Sequence, residues 1–132
     1  MNALLTLVSW SVPVSFFLML LLGFAESLMF RKLVRLQYDS HRQSWEQDGK
    51  PIGLLFHPPQ TKTWGGWFVR WSSRRASSRR SSAWLFATPA WMREDSRALR
   101  LLFWMRAMRV GNFAVFFLEV GVLLALIGLV GE

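Results

Sequence analysis

Every lysine and arginine of this chain lies between Arg31 and Arg109, and a long apolar stretch stands on either side of that basic block. Residues 3–25 run for 23 positions without a charge, and residues 110–131 run for 22 with only Glu119. A helix needs about 20 apolar residues to cross a hydrocarbon core of roughly 30 Å, so both stretches are long enough to span. The alternative is two core helices of a soluble domain. A chain of 132 residues has too little polar surface to enclose two helices that are apolar on every side. The pattern predicts an all-α membrane protein, a two-transmembrane-helix antiparallel hairpin. The first transmembrane helix falls in residues 1–30, a basic, Trp-rich cytoplasmic section in 31–109, and the second transmembrane helix in 110–132.

Charge placement also predicts orientation. A cleavable signal peptide carries its bases ahead of the apolar run. Here Met1 and Asn2 precede it, while Arg31, Lys32 and Arg35 follow, the pattern of a retained anchor. Loops rich in Lys and Arg close to a span stay on the cytoplasmic side. Both flanks of the basic block agree, which predicts an integral inner (plasma) membrane protein with residues 31–109 in the cytoplasm and both termini outside it. Within the block the 16 bases face five acids (Asp39, Glu46, Asp48, Glu94 and Asp95), an excess of 11 positive charges. Each base near an anionic leaflet contributes roughly 1 kcal/mol of attraction, so the block is expected to lie on the membrane surface.

Along the block, residues 31–47 lack Pro and Gly and extend the first helix, and Asp48-Gly49-Lys50-Pro51 supplies a Gly stop followed by Pro. The apolar run 52–56 fits a short strand or a turn. Trp64, Trp67 and Trp71 stand close together, and tryptophan favours the membrane–water boundary because its ring is apolar while its N–H needs a partner. Next comes SSRRASSRRSS, whose pairs Arg74-Arg75 and Arg79-Arg80 suit phosphates of lipid headgroups ahead of an acidic partner protein or nucleic acid. Thr88-Pro89 resembles a cap with Pro at the first helical position, from which one helix is expected to run to Val130. On that helix Arg93, Arg97 and Arg100 would share one face with Trp104, either meeting headgroups or simply solvated, with Arg106 and Arg109 following.

Inside the second span Gly111, Ala114, Gly121, Ala125 and Gly128 fall on one side of the helix. Small residues let another helix approach closely, and the first span, with Ser15 and Gly23, is the expected partner. Asn112 and Glu119 share the opposite side. Glu119 stands ten residues past Arg109, or roughly 15 Å into the bilayer, where a carboxylate must be protonated, paired or held in an interface. Two adhesive faces on one helix predict a membrane protein partner or a homo-oligomer. Glu26 is shallower and is expected to pair with Arg106 or Arg109.

No cysteine is present, which excludes disulfides, thiolate metal centres and thiol nucleophiles, and His41 and His57 both fall outside the spans. No nucleophile elbow, phosphate loop or paired-carboxylate motif occurs, so no catalytic residue, metal site or cofactor is expected. The order of apolar span, DGKP stop, Trp-rich loop and Glu94-Asp95 leading into RALRLLFWMRAMRV resembles the universal stress protein B family, small two-span bacterial inner-membrane proteins. That resemblance implies bacterial origin and a stress connection and transfers no site residue. The sequence thus predicts a non-enzymatic membrane scaffold docked on anionic lipid. The alternatives are an accessory subunit of a respiratory or photosynthetic complex, and a holin-like pore lined by Asn112 and Glu119.

Overall fold

A computed structural model describes residues 2–59 and 66–130, with side chains placed for 9–59 and 73–128. Among the described residues five helices follow in chain order: α1 (Asn2–Ser40), α2 (Arg42–Gln47), α3 (Gly66–Phe86), α4 (Ala90–Glu94) and α5 (Ser96–Val130). The chain packs as two units, one formed by Met1–Ala25 with Ala107–Glu132 and the other by Glu26–Arg106.

The first unit is the expected antiparallel hairpin, the apolar parts of α1 and α5 packed on each other. Both helices are long and apolar enough to cross a membrane, and neither buries its most apolar window. Trp10 is 68% exposed, Phe117 67% and Leu118 69%. Pro13 sits inside α1 without ending it.

The second unit has a core of its own, which the expectation of a surface-lying loop did not include. Helix α1 contributes Phe30, Leu33, Val34 and Gln37, spaced i, i+3, i+4 and i+7 on one face, and α5 contributes Ala98, Leu102 and Met105. Trp45, Trp84, Trp91 and Met92 fill the space between them. Trp84 meets Phe30 at 5.4 Å between ring centroids and Trp91 at 5.9 Å, the latter edge-on, a favoured aromatic geometry.

Local chemistry sets the breaks. The amide of Lys50 donates to the Trp45 carbonyl and that of Gly49 to the Glu46 carbonyl, while Gly49 takes φ 84°. This is a Schellman ending, and it places the DGKP stop where the sequence predicts it. Residues 53–56 form a tight turn rather than a strand, with reciprocal Gly53–Phe56 backbone bonds. A Cβ on Gly53 would come within 2.8 Å of Arg31 Cα, so a larger residue there forces the backbone apart.

The middle section adds one finding and changes one expectation. SSRRASSRRSS is helical, part of α3, with Ser73 and Trp84 buried on its inner side. Ser77 Oγ accepts from the Ile52 amide at 2.8 Å and lies 2.8 Å from the Ile52 carbonyl and 2.7 Å from that of Ser73, tying α3 to the turn. The long C-terminal helix does not begin at Thr88-Pro89. It begins at Ser96, because Asp95 leaves helical backbone and its carboxylate accepts from the Arg97 amide at 2.9 Å. That break also ends the continuous face expected for Arg93, Arg97 and Arg100.

The Arg97 side chain also donates to Asp95. These side-chain bonds, with the Arg97 amide, hold the Asp95 carboxyl below its ordinary value of 3.8. A lowered carboxyl stabilises the folded state above its unfolded pKa, and that contribution disappears as pH falls through the folded value. Hydrogen exchange of the Arg97–Leu99 amides is therefore expected to quicken selectively below about pH 4, and Asp95→Ala to show fast exchange there at every pH.

Candidate functional site

Within the hairpin unit the polar residues of the two apolar helices meet one another. Ser11, Ser15, Met19 and Gly23 recur every four residues and so share one face of α1. Asn112 and Glu119, seven apart, share one face of α5. Ser11 Oγ donates to Glu119 Oε1 at 3.2 Å. Ser15 Oγ lies 2.6 Å from Glu119 Oε2 and 2.7 Å from the Ser11 carbonyl, so its single hydroxyl proton serves two oxygens. Asn112 Nδ2 donates to the Met19 carbonyl at 3.1 Å, beside Gly23, where a Cβ would stand 3.6 Å from that nitrogen. About two turns of each helix are thereby clamped at both ends by side-chain polar contacts.

The small-residue stripe is placed differently from the expectation. Gly111 does touch α1, through Leu22. Ala114, Gly121, Ala125 and Gly128 are exposed, and among the described residues nothing comes within 4 Å of a Cβ built on Gly121 or Gly128. The polar face meets the first helix, and of the stripe Gly111 joins it there. The physical reason is the penalty on an unsatisfied carboxyl in an apolar layer, which exceeds the gain from close approach of small residues. Replacing both Ser11 and Ser15 by alanine is expected to weaken the hairpin by about 1–2 kcal/mol, judged from bond strengths between transmembrane helices. Reversible unfolding in mixed micelles measures this, with Ser9→Ala as the control.

The second unit carries the basic residues. Arg74, Arg75, Arg79, Arg93, Arg97 and Arg100 are exposed, and Arg109, in the hairpin unit, is half-buried. Two arginines expected at headgroups are engaged inside the unit instead. Arg80 Nη2 pairs with Asp48 Oδ1 at 3.1 Å, and its Nε donates to the Asp48 carbonyl. Arg106 donates to the Trp84 carbonyl at 2.8 and 3.1 Å and to the Thr88 hydroxyl, closing the bend between α3 and α4. Arg106 is thus used within that bend, while Glu26 is buried. Trp64 lies outside the described residues, and Trp67 and Trp71 stand on α3 with side chains outside them.

Sequence reasoning missed Ser11 as a partner for Glu119 and treated Ser15 only as a small residue. Their four-residue spacing in an uncharged helix was the available signal. It also missed Gln37, fully buried, whose Nε2 donates to Asp48 Oδ2 at 2.7 Å. That long-range contact leaves no local trace.

The chain matches no protein-family model, and no curated protein or solved structure is similar enough to count as a match. The resemblance to universal stress protein B therefore gains no support.

Proposed function

We propose that this protein is a non-enzymatic integral membrane scaffold. Its hairpin packs against a membrane partner, and its basic second unit docks on anionic headgroups on the cytoplasmic side, with both termini on the other face. The observation that carries the reading is the apolar surface of the hairpin, where large side chains of both helices stand exposed around their circumference. Patches of that extent on soluble monomers mark a membrane or an interface. The uncovered stripe of Ala114, Gly121, Ala125 and Gly128 supports a protein neighbour, because small residues admit a second helix closely.

An accessory subunit of a larger bioenergetic assembly is the second reading, and the same stripe favours it. A holin-like pore is disfavoured, since Asn112 and Glu119 bond to α1 and are thereby occupied within the hairpin. Mild-detergent purification with mass spectrometry tests the scaffold. A stoichiometric membrane partner or a homo-oligomer is expected, and Ala125→Leu is expected to release it while leaving the hairpin folded. Recovery of a lone monomer under all mild conditions overturns the packing role.

A further inference from the structure

A groove of about 610 Å³ runs along the second unit between the α2 ending and α3. Its volume falls in the range of small-ligand sites. One wall is the Asp48-Gly49 turn and the other is α3, with Arg75, Ala76, Arg79 and Arg80. We propose that this groove binds a phosphate group, carried on a lipid headgroup or free in solution.

Charge is the first ground. Three guanidiniums line the groove, and Asp48 is the only carboxylate among its lining residues. Both Asp48 carboxylate oxygens are already engaged, Oδ1 by Arg80 and Oδ2 by Gln37. Arg75 and Arg79 stand one helical turn apart on the same side of α3, so their two charges act together along the groove. Guanidinium forks match phosphate oxygens in pairs, which gives geometry as well as attraction.

Preorganisation is the second ground. Arg80 is held at two points, its Nη2 on the Asp48 carboxylate and its Nε on the Asp48 carbonyl. Ser77 holds α3 against Ile52 from the inner side, so the helix presents Arg75 and Arg79 from a fixed support. The two walls approach through their smallest residues. A Cβ on Gly49 would lie 3.3 Å from the Ala76 Cβ, and the positive φ of Gly49 strains any other residue there. A groove whose walls are already held in place binds an anion without first having to order its backbone.

The proposal deepens the headgroup-docking reading by naming a site, and it is tested on the full-length protein in phosphatidylcholine nanodiscs. One arm adds phosphatidic acid to the discs, and the other titrates inorganic phosphate against discs without it. The Nε–Hε resonances of Arg75, Arg79 and Arg80 are followed by nitrogen-15 NMR. Shifts confined to these three arginines are expected in at least one arm. A response to phosphatidic acid alone assigns a headgroup, and a response to inorganic phosphate alone keeps the groove while removing lipid docking from the reading above. Arg75→Gln with Arg79→Gln is expected to weaken binding about 30-fold, from roughly 1 kcal/mol per cation. Arg75→Lys with Arg79→Lys is expected to restore part of it. Arg74→Gln with Arg93→Gln removes the same charge from exposed positions outside the groove. An equal loss in that control, or no shift in either arm, overturns the proposal.

Discussion

Replacing Trp84 with alanine is expected to destabilise the Glu26–Arg106 unit by about 3–5 kcal/mol, the usual cost of emptying a buried tryptophan site. Trp84 is 1% exposed and touches both Phe30 and Trp91, so no neighbouring side chain can fill the space without leaving its own place. In a unit of this size such a loss is a large share of total stability. Denaturant titration in micelles, followed by near-ultraviolet circular dichroism, measures it. A milder pair separates packing from hydrogen bonding. The Trp84 Nε1 has no hydrogen-bond partner among the described residues, whereas Trp45 Nε1 donates to the Pro51 carbonyl at 2.9 Å. Trp45→Phe is therefore expected to cost about 1 kcal/mol more than Trp84→Phe, because it leaves that buried carbonyl unpaired.

Leu118→Lys is expected to produce the second large effect, a loss of about 3 kcal/mol in membrane insertion, read as the inserted fraction in a translocation assay. The leucine is among the most exposed residues of α5, so in water a lysine there would change stability by no more than about 0.5 kcal/mol. A substitution that is costly only in hydrocarbon reports the solvent around the helix. Glu119 is met by Ser11 and Ser15, whereas a lysine at the exposed position 118 has no such pair aimed at it.

How much of this was legible beforehand differs between the two units. The hairpin was plain because length and hydropathy alone decide whether a helix can span, and both are local properties. Gly49 was equally readable, since a Gly-Lys-Pro sequence after a helix has few backbone solutions. The second unit was largely hidden. SSRRASSRRSS reads as a low-complexity basic run suited to headgroups, and its place in α3 depends on Ser77 finding Ile52 and on Trp84 finding Phe30 and Trp91 at a distance. Asp95 took over the start of α5 from Thr88-Pro89 for a related reason. Arg106 engages the Thr88 hydroxyl and the Trp84 carbonyl, a contact 18 to 22 residues away along the chain. The packing face on α5 was read as the small-residue stripe, and the structure gives it to the polar face. A small-residue stripe and a polar face compete for α1, and only the coincidence of Ser11 and Ser15 with the depth of Glu119 decides for the polar one.

The central claim is that α1 and α5 cross a membrane as a hairpin, leaving the Glu26–Arg106 unit on one side. Because the chain has no cysteine, single cysteines introduced at Asn2, at Leu55 (78% exposed at its turn) and at Glu132 report topology without background. Labelling with a membrane-impermeant maleimide in intact cells and in inverted vesicles reads each position. The account predicts that positions 2 and 132 label from outside in intact cells, while position 55 labels only in inverted vesicles. Labelling of position 55 in intact cells, or of positions 2 and 132 on opposite faces, would contradict it.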